Sequence, residues 1–417
     1  MMQVLVIGYV WPEPASSAAG SRMMQILEFL LSTGYTVSFA TTASRGPWAF
    51  DLSNLGITTA QIELNSSSFD EYLKGLNPTL VIFDRFMMEE QFGWRVNKIC
   101  PDAIRILDTE DLHFLRNFRE LEFKGKAGYG NSGSSDLAKR EIASIYRCDL
   151  SLIISEAEMQ LLISEFKISP TLLFYLPFLF EDITASHISE LPAFENRKDF
   201  ISIGNFRHAP NVDAVVYLKE AIWPLIHKQI PDAKMEIYGA YPSARIEQLG
   251  DPKFNFNIKG RVKDAAEVVR KARVSLAPLR FGAGLKGKLA EAMINGTPNV
   301  TTSVGAEGMN GSLDWNGVIT NDPEEFANAA VNLYNAPREW QQAQNRGFEI
   351  INTRFTKKVF YESFRERLSK LELELSKHRE ANFIGAMLMH HRVKSTYFLS
   401  KYIEIKNELE KTEKTKK

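Results

Sequence analysis

Lys286, Lys288 and Glu291 follow closely on three glycines, Gly282, Gly284 and Gly287, inside the stretch VSLAPLRFGAGLKGKLAEAMINGTPNV from Val274 to Val300. Glycines let backbone N–H groups approach an anion closely, and a helix start adds a favourable dipole. The two lysines add positive charge at the same end. Glu291 comes three residues after Lys288, so both share one helix face. The combination suits a diphosphate at the helix start with a hydroxylated ring one turn further on. Three readings compete. One is a nucleotide-sugar site. A second is a dinucleotide site, because Gly282-Ala-Gly284-Leu-Lys-Gly287 matches G-x-G-x-x-G and Glu307 lies twenty residues on. The third is a glycine turn that binds nothing.

Two other groups of residues invite chemistry. The loop WPEPASSAAGSR places Gly20 and Arg22 beside a helix start, which suits an anion or a polar substrate as well as it suits a plain surface loop. Asp108, Glu110, Asp111, His113 and Arg116 cluster just past the strand AIRILD. Ligands of open α/β sheets bind at the carboxyl ends of strands, so His113 is well placed for a site, although a lone histidine is as often structural.

The elements that must position these residues alternate strand and helix. Apolar runs at 3–10, 35–41, 59–64, 79–83, 103–108, 149–155 and 172–176 read as strands with helices between them. The chain turns polar and irregular from Glu181 to Lys198. Alternation then restarts with FISIG (200–204) and KMEIYG (234–239) and continues through 254–259, 274–279 and 316–320. The expected fold class is α/β, with two doubly wound parallel-sheet, Rossmann-like domains facing a cleft, residues 1–185 and 198–354. Residues 355–375 carry the stripe Phe360, Phe364, Leu368, Leu371 and Leu375, a helix suited to packing back on the first domain. Residues 376–417 form a charged helical tail. Its last segment, 393–417, has seven Lys and four Glu, a net +3. A solvated, frayed tail is the expected reading, and a partner-binding or membrane-surface helix the alternative. The glycine-rich segment 124–134 reads as a mobile loop.

The whole chain sets bounds. Its 417 residues are 44% hydrophobic with a net charge of −1, which suits a globular protein and advertises no nucleic-acid partner. Cys100 and Cys148 have no paired spacing, so no disulfide framework or metal site is expected and a reducing compartment fits. The start MMQVLVIGYV reads as a strand rather than a signal peptide, and no run is long and apolar enough to cross a membrane. A cytoplasmic location, with weak membrane-surface contact through the tail, is the expectation.

The series FISIGNFRHAPN, IWPLI, PDAKMEIYG, IKGRVKD and VSLAPLRFGAGLKGKLAEAMINGTPNVTTSVGAEG resembles the donor-binding domain of GT-B-fold glycosyltransferases of the GT4 type, the glycosyl transferases group 1. The first half, with its Gly20–Arg22 loop and DTEDLHFLR (108–116), is similar to the acceptor domain of that group. The resemblance implies transfer of a sugar from a nucleotide-diphosphate donor, base unspecified, to a glycan, lipid-linked or small-molecule acceptor. Retention at the anomeric carbon, no cofactor and no essential metal are implied with it. It implies that Glu291 binds the ribose hydroxyls and that Lys286 and Arg207 hold the diphosphate. Gly260, Arg261 and Val262 would meet the base through their backbone, Gly20 would lie near the donor phosphate and His113 near the transferring sugar. Gly282, Gly284, Leu285 and Lys288 complete the donor loop, and Arg22 stands with Gly20. Two departures stand out. Group members often carry a glutamate eight residues before Glu291, where this chain has Ala283, leaving backbone groups of 281–285 as substitutes. The usual lysine a few residues after Arg207 is also missing, and Lys288 is the candidate to replace it. A pyridine-nucleotide oxidoreductase and a non-catalytic scaffold are the alternatives.

Overall fold

The protein is described here from a computed structural model covering residues 2–126 and 132–415; the middle of the glycine-rich segment 124–134 lies outside the described residues. Two parallel sheets carry the chain. The first contains β1 (Gln3–Gly8), β2 (Thr36–Thr41), β3 (Thr58–Gln61), β4 (Leu80–Asp84), β5 (Ile104–Asp108), β6 (Leu150–Ile153) and β7 (Leu173–Tyr175), in the order β3-β2-β1-β4-β5-β6-β7. The second contains β8 (Lys198–Ile203), β9 (Met235–Tyr238), β10 (Phe256–Gly260), β11 (Ala272–Ala277), β12 (Asn299–Thr301) and β13 (Gly317–Ile319), in the order β10-β9-β8-β11-β12-β13. The central strands are covered on both faces, and this is why their sequences are unbroken apolar runs: Val4 to Ile7 and Leu80 to Phe83 are fully buried.

Strand order locates the crevices. In the first sheet the winding reverses between β1 and β4, and in the second between β8 and β11. Loops after those four strands therefore splay apart at a switch point, the place where open α/β sheets bind ligands. The loop after β8 carries Arg207. The loop after β11 runs into the helix Gly287–Ile294, which carries Lys288 and Glu291. Segments some eighty residues apart in sequence are neighbours because β8 pairs directly with β11.

The chain crosses between domains twice, side by side. The Phe180 N–H donates to the Phe355 carbonyl at 2.7 Å, and the Lys357 N–H donates to the Phe180 carbonyl at 2.9 Å. The helix Lys357–Ala381 then returns to the first domain. It buries Phe364, Leu368 and Leu371 there, with the Phe364 ring 4.6 Å from that of Phe29.

The tail is not a frayed appendage. Helix Phe383–Thr415 lies along the first domain, where Gly385 and Ser400 are buried. Just before it, Arg379 reaches the buried Asp149 carboxylate with two bonds of 2.8 Å and donates to the Ala103 carbonyl at 2.7 Å. Arg95, fully buried, bridges Asp70 at 2.5 Å and the Ser400 hydroxyl at 3.2 Å. Between Arg379 and Glu404 the reading as a solvated end fails, because these partners lie hundreds of residues upstream. Removing residues 376–417 is expected to destabilise the first domain by about 1–3 kcal/mol through lost partners of buried charges. A fall in its thermal midpoint, with the second domain's transition unchanged, is the measurement that checks this.

Candidate functional site

On the second-domain side, β8 ends in Gly204. A Cβ there would lie 2.9 Å from the Lys288 Nζ, so the glycine makes room for that side chain. The Asn205 side chain accepts from the Arg207 N–H at 2.9 Å and fixes the turn. The Arg207 guanidinium is exposed and stacks over the Tyr241 ring at 3.6 Å. Lys288 donates to the Asn211 side-chain oxygen at 2.7 Å, which brings an ammonium to the helix that follows Arg207. Burial, and then the Lys286 charge, pushes the Lys288 pKa down to about 7. Lys286 donates to the carbonyls of Ala283 (3.0 Å) and Gly284 (2.6 Å); burial lowers its pKa as well. Glu291 lies one turn into the helix Gly287–Ile294, half-buried, with its pKa pushed up to about 7 by burial and then by the Asp264 charge.

The first domain grips the 281–287 loop. Glu158, fully buried, accepts the Gly284 N–H at 2.8 Å and the Leu112 N–H at 3.0 Å on one carboxylate oxygen. Arg119 donates to the Gly282 carbonyl at 2.8 Å and forms a two-pronged pair with Glu307 at 2.7 and 2.8 Å. Gly284 has φ +64, and a Cβ on it would stand 2.8 Å from the Asp111 Cβ. A Cβ on Gly287 would stand 2.6 Å from that of Ala18. Ala283 packs into the core of the first domain. Elsewhere along the cleft the Tyr241 hydroxyl donates to the Glu13 carboxylate at 2.8 Å, and Arg261 stacks on Trp48 at 3.7 Å.

Glu158 makes this grip sensitive to pH. Burial, and then the Asp111 charge, raises its pKa to about 8, against the opposing pull of the two N–H donors. Its second oxygen has no partner among the described residues and is free to carry the proton. With the folded value above the unfolded one of 4.5, the stabilising contribution is complete below about pH 4.5 and disappears as pH rises through about 8. Glu158→Gln is accordingly expected to raise the thermal midpoint at pH 8 by roughly 4 °C or more and to flatten its pH dependence. A variant that keeps the wild-type slope between pH 5 and 8 rules this out.

Most of the residues singled out from sequence gather here, but two serve differently. Arg22 is not at the cleft surface. It is 1% exposed, with its guanidinium bonded to Asp108 at 2.8 and 3.1 Å and to the Leu176 carbonyl at 2.6 Å. It is an internal tie between β5 and the domain crossing, so its assignment as an anion ligand is corrected. The Gly20 N–H is already bonded to the Ser17 side chain, and a Cβ at Gly20 would collide with the Glu13 backbone at 2.5 Å. Gly20 thus seats the turn that aims Glu13 at Tyr241. His113 opens the helix His113–Phe123; its N–H and Nδ1 both meet the buried Glu141 carboxylate, at 3.1 and 3.4 Å, leaving Nε2 for a ligand. Gly260 has φ +70 and its carbonyl accepts the Gly239 N–H at 2.8 Å. Val262 follows Arg261 in the same loop, and Leu285 packs in the interface cluster with Ile154 and Phe178.

The backbone of 281–285 is partly engaged, which leaves its remaining N–H groups as the candidates to replace the missing glutamate. The carbonyls of Gly282, Ala283 and Gly284 and the N–H of Gly284 all have protein partners. The dinucleotide reading meets its obstacle at the acid it needs rather than in the glycine turn. Glu307, its ribose acid, is committed to Arg119. Sequence reasoning missed Glu158, Arg119, Glu13 and Glu141. Each is an ordinary-looking helix or loop charge whose partner lies in another element. A usable signal was present only at the ends of β4 and β5, where the polar runs DR and DTED interrupt apolar strands. There Arg85 and Glu110 adopt φ +73 and +62, a backbone cost that non-glycine residues bear at sites.

Residues 197–336 match the family described as glycosyl transferases group 1. The fold is GT-B. Sucrose-phosphate synthase from Thermosynechococcus elongatus superimposes with a TM-score of 0.67 at 16% identity, over 88% of this chain and 99% of that one. Anabaena HepE, solved in complex with UDP-glucose, gives 0.66 at 13% identity, over 89% and 100%. An uncharacterized 44.6 kDa protein in the cps region of Klebsiella pneumoniae is 25% identical over 195 residues, 43% of this chain. The match spans 50% of that relative's length.

Proposed function

We propose that this protein is a retaining glycosyltransferase that takes a hexosyl group from a nucleoside-diphosphate sugar. The observation that carries the reading is the pair Lys286 and Lys288 at the start of helix Gly287–Ile294, with Glu291 one turn along and Arg207 on the loop after the neighbouring strand β8. The leaving diphosphate gains negative charge in the transition state, and fixed cations with a helix N-terminus stabilise it. Glu291 accepts the ribose hydroxyls. The backbone at Gly260–Val262 receives the base, with Trp48 and Arg261 closing over that edge. His113, oriented by Glu141, presents Nε2 to the transferring sugar. The acceptor hydroxyl enters on the face the diphosphate leaves and gives its proton to the departing phosphate oxygen as the anomeric C–O bond breaks, so no side-chain nucleophile is required, and no metal is assigned. HepE's UDP-glucose makes uridine donors the first to test. The test is a thermal-shift and donor-hydrolysis screen with UDP, GDP, ADP and their sugars. A ligand at 100 times its Kd stabilises by about 2.7 kcal/mol. Stabilisation by NAD and by none of the sugar nucleotides would reject the proposal.

Lys288 takes the place of the lysine missing after Arg207. With its pKa near 7, it binds an anion fully charged only below neutrality. With the Glu291 titration removed in a Glu291→Gln background, nucleoside-diphosphate affinity is expected to fall as pH rises from 6 to 9, with proton uptake on binding at the alkaline end. Calorimetry in buffers of different ionisation enthalpy measures that uptake, and Lys288→Met should abolish it.

A further inference from the structure

Arg207 lies on the loop after β8, exposed and, among the described residues, outside every ion pair. A guanidinium on so long a side chain has much rotamer freedom to lose when it binds an anion. Here that freedom is already restrained. The guanidinium lies 3.6 Å from the centre of the Tyr241 ring, close enough for the ring face to attract the cation.

Tyr241 is itself held from the opposite domain. It sits just past β9 with φ +59, a conformation that costs a non-glycine residue energy. Its hydroxyl lies 2.8 and 3.0 Å from the two oxygens of the Glu13 carboxylate, on the loop after β1. That carboxylate fits a narrow seat, because a Cβ at Gly46 would stand 2.6 Å from its Oε1. The same first-domain loop also reaches the turn that carries Arg207. The Asn205 side chain accepts the Arg207 N–H at 2.9 Å and donates to the Ser16 carbonyl at 3.2 Å. The ring beneath the guanidinium and the backbone behind it are therefore both anchored across the cleft on residues 13–16. A ring that only packed against an arginine would need neither the strained turn nor the bond to the other domain.

We propose that Tyr241, anchored on Glu13, is the positioning residue of Arg207 and pre-orders its guanidinium for the donor diphosphate. The inference rests on the donor-site reading of Arg207 given above. Its test is calorimetric binding of UDP, GDP and ADP to the full-length protein and to Arg207→Ala, Tyr241→Ala, Tyr241→Phe and the double variant Arg207→Ala, Tyr241→Ala. Tyr241→Ala should weaken the tightest of the three diphosphates about three- to tenfold, because the pre-ordering is lost. Tyr241→Phe keeps the ring, loses the bond to Glu13 and should fall between. Once Arg207→Ala is present, Tyr241→Ala should cost nothing more. A Tyr241→Ala loss undiminished in the Arg207→Ala background overturns the proposal, since the ring would then meet the nucleotide itself. So does wild-type affinity in both Tyr241 variants beside a weakened Arg207→Ala. Wild-type affinity in Arg207→Ala would instead reject the donor-site role of that arginine, and this inference with it.

Discussion

Lys286→Met is expected to lower sugar transfer by about 10²–10³-fold while leaving the fold intact. The side chain sits at the helix start with its ammonium on the Ala283 and Gly284 carbonyls, so its flexible stem holds the charge beside the place where a leaving diphosphate would gain its own. Methionine keeps the stem's volume and removes only the charge. If the lysine acts mainly on the leaving group, kcat falls far more than the donor KM rises, because the interaction strengthens as the bond breaks. An equal loss in nucleoside-diphosphate affinity would instead assign it to ground-state binding. Retention of near-normal turnover would remove Lys286 from the chemistry altogether.

Glu291→Ala should act on the other parameter. A carboxylate that accepts two ribose hydroxyls contributes hydrogen bonds to a charged group, about 1.5–3 kcal/mol, so donor affinity is expected to fall by roughly 10–150-fold. Burial already holds the Glu291 pKa near 7, and donor hydroxyls that favour the ionised form should pull it down. Titration of wild-type binding against pH, with Glu291→Gln as the non-titrating reference, reads this directly. Unchanged affinity for nucleoside diphosphates in the alanine variant would break the assignment of the ribose to this helix.

The parts of the fold visible in sequence were those set by short-range physics. Buried parallel strands such as Val4–Ile7 and Leu80–Phe83 are continuous apolar runs because both faces are covered. The Lys286–Glu291 spacing is legible because one helix carries it. Ion pairs that join distant elements leave no such mark. Arg22 looks like a loop arginine until Asp108, 86 residues on, is seen beside it. Glu158 reads as an acid in the first turn of a helix, where the dipole welcomes charge, and nothing local says that it is buried against the other domain. The tail misled for a different reason. With apolar residues on both its docked and its exposed face, its periodicity blurs into that of a mixed, solvated segment.

The glycine loop after β11 takes its shape from the opposite domain, through Glu158 and Arg119. Its conformation and the width of the cleft are therefore one equilibrium rather than two. Whatever binds that loop in its present form draws the domains together, and whatever wedges them apart loosens the loop. A molecule entering only on the first-domain side would thus change affinity for an anion on the second, by the same factor in both directions, without touching it.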